Sequence, residues 1–305
     1  MVPKTLLVVV GPTGIGKTAL AIQLAKHFKT EILSADSRQF YKEMKIGTAV
    51  PNREELQSVP HHFIQHKSIH DTYNVGDFER EALALLNELY NHHDLMIMVG
   101  GSGMYIDAVL NGMDAFPVIP PSIRETLNRE LKQKGLDPLQ QELMEADPLY
   151  ARKVDLQNPQ RVLRALEVCR ASGKPYSSFL GQKKITRPFK TVIVGIEAAR
   201  EVVYQRINER VDAMMAAGLL EEATGLKEFE SLNALQTVGY KELFKYLDGH
   251  YTLEEAVEEI KKNTRRFAKR QGTWFRRNTF ILWVPYDLSF NLKLEQIEQE
   301  LRKQP

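Results

Sequence analysis

Gly11-Pro12-Thr13-Gly14-Ile15-Gly16-Lys17-Thr18 has the spacing G-x-x-x-x-G-K-T, in which each residue type serves an anion. The glycines let backbone N–H groups close around phosphate oxygens, a helix N-terminus adds partial positive charge, Lys17 supplies a point charge, and the Thr18 hydroxyl is a ligand for Mg²⁺. The flanks give the motif its mechanical context: residues 5–10 are a β-branched apolar run and residues 19–25 read as a helix. The cradle recognises a diphosphate whatever is attached to it, so the motif marks a phosphate site, not an ATPase.

Other residues could complete a reaction there. Asp36 follows a second strand-like run, 31–35, where a carboxylate faces the same crevice as the phosphate loop and could act as a base on an acceptor nucleophile. An ordinary helix N-cap reads equally well. The third run, 95–99, leads into Gly100-Gly101-Ser102-Gly103 rather than an acidic residue, which argues against a motor or switch ATPase. Those glycines suit either close approach of a ligand or tight packing. Arg206 and Arg210 lie four apart on a helix with the apolar stripe Val203, Ile207, Val211 and Met214, so both share one face. They could clamp an anionic leaving group or pair with neighbouring glutamates. His61, His62 and His66 lack accompanying acidic or cysteine ligands at recognisable spacing, which argues against a metal site. From Lys261 to Arg277 the chain reads KKNTRRFAKRQGTWFRR, without an acidic residue. Val257, Ile260, Thr264, Phe267 and Trp274 mark an expected buried stripe, leaving Lys262, Arg266, Lys269 and Arg270 for a phosphate backbone or for solvent.

The elements that must hold these groups alternate strand and helix, which implies an α/β fold: a parallel sheet covered on both faces. Further strands are expected at 191–196 and 280–284. Between them and the third strand, a proline-rich joint at 116–121 introduces three helical segments, 122–134, 138–145 and 159–171. These define an inserted helical domain, about 116–187, in a core made of 1–115 and 188–305. The chain has 305 residues, 43% of them hydrophobic, and a net charge of +2, so its overall charge argues neither for nor against nucleic acid. Cys169 is the single cysteine, read as core filling, which fits a reducing compartment. No stretch approaches membrane-spanning length, so a cytoplasmic enzyme is expected, and nothing demands more than a monomer.

Taken in order and over nearly the whole chain, GPTGIGKT, ADSRQFYKEMKIGTAVP, VPHHFI, VGGSGMY, NPQRVLRALEV, the RINERVDAMMAAGLLEE helix, TVGYKE and RRFAKRQGTWFRR resemble the bacterial tRNA dimethylallyltransferases, also called tRNA isopentenyltransferases. The resemblance implies a P-loop NTPase-like core with an inserted helical tRNA-binding domain. It also implies transfer of a dimethylallyl group from dimethylallyl diphosphate to N6 of adenine 37, beside the anticodon in the tRNA anticodon stem-loop. By this resemblance Asp36 is the general base, and Gly11, Thr13, Gly14, Ile15, Gly16, Lys17 and Thr18 bind the donor diphosphate. Thr18 contacts Mg²⁺, and Arg210 holds the leaving group. Asp36, Ser37, Arg38 and Gln39, Gln160, Arg161, Val162, Leu163 and Arg164, and Ser102 and Arg124 are associated with tRNA, and Lys269 and Arg270 of the basic segment join them. Two departures stand out: Gly14-Ile15 replaces a frequent Ala-Ser, and Ser102 replaces a common threonine while keeping the hydroxyl. The main rival is a nucleotide or small-metabolite kinase that binds ATP at the P-loop and uses Asp36 to activate a hydroxyl. A non-catalytic RNA-binding protein is the third reading.

Overall fold

Six parallel strands form one sheet in the order β3-β2-β4-β1-β5-β6 in the computed structural model, which describes residues 4–181 and 186–303. β1 (Thr5–Val10), β2 (Ile32–Ser34), β3 (His61–His62), β4 (Leu95–Val99), β5 (Lys190–Glu197) and β6 (Ile281–Pro285) follow in chain order. β1 is central and buried on both faces, which is why its sequence is an unbroken apolar run rather than an alternating one. The sequence gives no sign of β3: it is a two-residue edge strand whose histidines read as loop residues.

Register decides where the chemistry sits. Val9 pairs with Val99 and Val194, and Ser34 with Val99, so the carboxyl ends of β1, β2, β4 and β5 lie along one edge of the sheet. The Ala35 N–H donates to the Val99 carbonyl at 2.7 Å and the Gly100 N–H to the Val9 carbonyl at 3.2 Å, tying the segments after β2 and β4 to their neighbours. The phosphate loop, the Asp36 turn and the Gly100 turn therefore leave the sheet side by side.

Helices α1 (Lys17–Phe28), α2 (Arg53–Ser58), α3 (Val75–Leu89) and α4 (Gly103–Asn111) connect the first strands. α9 (Arg200–Ala216), α10 (Leu219–Gly225), α11 (Tyr240–Leu247) and α12 (Leu253–Phe275) follow β5, and α13 (Phe290–Lys303) ends the unit. α12 starts at a capping box in which Thr252 Oγ1 accepts the Glu255 N–H and the Glu255 carboxylate accepts the Thr252 N–H. Its buried line is Ala256, Ile260, Ala268, Gln271 and Phe275. This corrects the expected stripe, since Phe267 and Trp274 are each 39% exposed. Trp274 instead lies over Gly103 and donates its indole N–H to Asp107 at 2.9 Å.

The chain divides into two compact units, 1–110 with 187–305, and 111–186. The expected insertion, 116–187, begins later and ends one residue beyond that. Arg187 belongs with the sheet because its guanidinium bonds Glu79 at 2.5 Å and the Ala108 carbonyl at 2.7 Å. The second unit contains α5 (Pro121–Lys134), α6 (Asp137–Ala146), α7 (Pro148–Ala151) and α8 (Pro159–Ser172), packed around Leu127, Leu143, Val162, Leu163 and Leu166. Cys169 is a buried free thiol on α8.

Candidate active site

Three glycines with positive φ turn the chain from β1 into α1: Gly11 at 145°, Gly14 at 80° and Gly16 at 103°. Gly11 has a second reason to be glycine, because a Cβ there would lie 2.8 Å from the Ile196 carbonyl of β5. No side chain caps α1, so its first N–H groups face a cavity of about 650 Å³ whose walls include Lys17, Thr18, Asp36 and Arg210. Uncapped donors at a helix N-terminus suit an anion. Ile15 is the exception in the loop. Its side chain is buried in the core with Leu7 and Ile207, so any phosphate contact is made by its backbone alone.

Lys17 Nζ donates to the Pro12 carbonyl at 2.8 Å. Burial pulls its pKa down to about 8, with the Asp36 charge opposing the shift and the Arg210 charge adding to it. Burial also lowers the Arg210 pKa, against the charges of Asp36 and Glu55. Two cations crowded into one pocket with limited solvent are poised for an anionic ligand. The arginine pair is divided in its work: Arg206 Nε donates to the Gly14 carbonyl at 2.8 Å and braces the loop, whereas Arg210 stands on the cavity wall.

Asp36 follows β2 by two residues, and one of its carboxylate oxygens accepts the Arg38 N–H at 3.1 Å. The next residue is fixed across the sheet edge by Ser102, whose Oγ accepts the Ser37 N–H and donates to Ser37 Oγ, both at 3.1 Å. Two residues expected at the RNA have partners within the protein. The Arg38 guanidinium donates to the Asn233 and Ala234 carbonyls at 2.8 and 2.9 Å. Gln39 is buried, accepting from Ser34 Oγ and donating to the Thr48 and Ala49 carbonyls. Both side chains are engaged in shaping the turn around Asp36.

A second cavity of about 570 Å³ adjoins the first, and both are lined by Thr13, Asp36 and Arg210. Its walls are mixed: Ile207, Val211, Met214, Leu219 and Val238 supply apolar surface among polar and charged groups, and Phe267 and Arg270 of α12 also line it. Lys269 instead lines a separate cleft with Arg200 and Arg276. The Gly100-Gly101-Ser102-Gly103 turn is now explained by packing: added Cβ atoms would meet the Ala35 carbonyl at Gly100, the Gln271 amide at Gly101 and the Trp274 ring at Gly103.

Three residues around these cavities escape sequence reasoning. Gln271 joins the phosphate loop to the Gly101 turn. Glu222 accepts the backbone N–H groups of Lys45, Ile46 and Gly47 at 2.8 to 3.0 Å and the Tyr240 hydroxyl at 2.6 Å. Glu242 accepts the Gly239 N–H and the Asn263 amide, each at 2.8 Å. Gln271 and Glu242 are buried and Glu222 is half-buried, and only these contacts distinguish them from other polar residues of the chain.

In the 111–186 unit, Arg124, Gln160 and Arg164 come together. Arg124 bonds Glu167 at 2.8 Å and also reaches Gln160, and Arg164 bonds the other Glu167 oxygen at 3.3 Å. Arg161 is exposed. Val162 and Leu163 are fully buried in this unit's core, which corrects their assignment to an RNA surface: helical periodicity turns two residues of the 160–164 run inward. Of the histidines, His62 bonds Glu31 at 2.6 Å and His61 Nδ1 lies 2.8 Å from the Val59 carbonyl. His66 packs against Phe40, Phe63 and Tyr73. Among the described residues no trio of His, Cys, Asp or Glu gathers as for a metal.

A parallel sheet whose first strand runs through a glycine loop into an uncapped helix defines an α/β protein with a P-loop NTPase-like fold. The IPP transferase family profile matches residues 39–278, and the chain belongs to that family. It is 54% identical to a tRNA dimethylallyltransferase of Flavobacterium johnsoniae, covering 98% of this chain and 99% of that one. It is 55% identical to one of Christiangramia forsetii, covering 97% and 98%. Among solved structures, the tRNA isopentenylpyrophosphate transferase of Bacillus halodurans superposes with a TM-score of 0.73 at 36% identity, covering 98% of this chain and 96% of that one. A eukaryotic dimethylallyltransferase acting on tRNA superposes with a TM-score of 0.82 at 28% identity, covering 98% of this chain and 80% of that one.

Proposed function

We propose that this protein transfers a dimethylallyl group from dimethylallyl diphosphate to N6 of adenine 37 in the anticodon loop of tRNA, releasing diphosphate in the cytoplasm. The observation that carries this reading is the pair of adjoining cavities with Asp36 and Arg210 on both walls. The loop-lined cavity suits the diphosphate, and the apolar side chains Ile207, Val211, Met214, Leu219 and Val238 in its neighbour could take a dimethylallyl group. Membership of the IPP transferase family and the likeness to tRNA dimethylallyltransferases are the reason to prefer transfer over an ATP-dependent kinase.

In the reaction the allylic C–O bond breaks as the N–C bond forms. The N6 amine gains positive charge as it attacks, and Asp36 accepts its proton. Negative charge gathers on the departing diphosphate, where Lys17, Arg210 and the N–H groups of Gly14, Ile15, Gly16 and α1 stabilise it. The Thr18 hydroxyl with the Glu55 carboxylate gives this wall hard oxygen donors. Mg²⁺ takes such donors when phosphate oxygens and water complete its coordination. Bound there, the ion would add charge neutralisation at the leaving group. The adenine leaves its stack at a cost of a few kcal/mol, offset by contacts from Arg124, Gln160, Arg161 and Arg164, from Ser37 and Ser102, and from Lys269 and Arg270. All of these groups belong to one chain, so a monomer suffices.

The test incubates the protein with Mg²⁺, unmodified tRNA and either labelled dimethylallyl diphosphate or labelled ATP. Label entering the RNA from the prenyl donor alone is the expected result. Phosphorylation from ATP would replace this reading with the kinase.

A further inference from the structure

We infer that Gln271 is a positioning residue for the donor site, fixing the Pro12–Thr13 peptide so that its carbonyl faces the Lys17 ammonium; this rests on the transfer reading above. Gln271 is 6% exposed and sits on α12, among basic residues otherwise fit for RNA or solvent. Its Oε1 accepts the Thr13 N–H at 2.9 Å, and its Nε2 donates to the Gly101 carbonyl at 3.0 Å. Only this orientation of the amide satisfies both partners, because the reverse would set donor against donor and acceptor against acceptor.

The Thr13 N–H and the Pro12 carbonyl belong to one planar peptide unit and point in opposite directions. Anchoring the N–H on Gln271 therefore aims the carbonyl, which accepts Lys17 Nζ at 2.8 Å. The Thr13 N–H, expected to cradle a phosphate, is instead engaged with this amide. Gly101 is part of the same device: a Cβ there would lie 2.2 Å from Gln271 Nε2 and 3.8 Å from Lys17 Nζ. The turn after β4 lacks a side chain where the glutamine amide fills the space. A residue two positions from the cleft-lining Lys269 and next to Arg270 thus controls a lysine of the phosphate loop.

The test compares the parent with Gln271→Met, which keeps the length and loses both hydrogen bonds, and with Gly101→Ala, which displaces the amide without altering it. Dissociation constants are measured for dimethylallyl diphosphate and for inorganic diphosphate, each with Mg²⁺, and separately for unmodified tRNA, alongside thermal midpoints. Both variants are expected to weaken diphosphate and prenyl-donor binding about tenfold, about 1.4 kcal/mol, and to leave RNA affinity within about twofold. In turnover, KM for the donor should rise while KM for tRNA holds.

Donor and diphosphate affinity within twofold of the parent in a folded variant, a comparable loss of RNA affinity, or failure of both variants to fold would overturn the assignment. If the parent binds diphosphate but not the prenyl donor, the transfer reading fails, and Gln271 is still judged on diphosphate alone.

Discussion

Asp36 and Lys17 serve opposite ends of the same event, the attacking amine and the departing diphosphate, and each gives a separate expectation. Asp36→Ala should bind tRNA and donor normally while the single-turnover rate falls roughly 10²-fold or more, because it removes the proton acceptor and little else. Unchanged turnover would assign the base elsewhere. For Lys17, burial disfavours the charged form and pulls its pKa down to about 8 from the ordinary 10.5. Between those values the unfolded chain holds more proton than the native one, so this residue's contribution to stability rises with pH. Diphosphate affinity moves the other way, falling above about pH 8 by up to about tenfold per unit as the cation is lost. Titrating affinity from pH 7 to 9.5 should show that decline, with Lys17→Met weak and flat throughout. At this scale the sequence was partly legible. GPTGIGKT carried its own geometry, but the intramolecular partners of Arg38 and Gln39 were not visible, because a short polar turn does not announce that it folds over carbonyls from other segments.

α12 shows what periodicity resolves and what it misses. Its cationic half was readable from composition, yet Phe267 and Trp274 were assigned to the core because aromatic residues at helical spacing usually are. Here the packed face mixes Ile260 and Phe275 with Ala256, Ala268 and Gln271, of which Gln271 reaches the phosphate loop, and Phe267 borders the second cavity. Arg270, on the same wall, should give a backbone contact without sequence preference. Arg270→Ala is expected to lower the slope of log K against log salt for tRNA by about 1 while donor affinity stays unchanged. An unchanged slope would remove Arg270 from the interface. β3 was invisible for a different reason: two residues cannot display an alternation.

Across the whole molecule, division of labour between the two units is open to test by damaging one core. Leu163→Ala truncates a fully buried side chain of the 111–186 unit and should cost about 2–5 kcal/mol there. Weaker tRNA binding with unchanged dimethylallyl diphosphate affinity is the expected pattern, and parallel loss of both would deny the units separate roles. The insertion was visible in sequence from its proline joints and strandless helices, whereas its C-terminal edge shifted because Arg187 is claimed by an ion pair that no local pattern encodes. The bond between Thr13 and Gln271 spans 258 positions, so a chain growing from its amino end makes the phosphate motif early and its anchor almost last. Pairings this distant close slowly. A nascent polypeptide halted short of α12 should carry the recognisable signature yet show little affinity for diphosphate, so premature termination products would not sequester the prenyl donor.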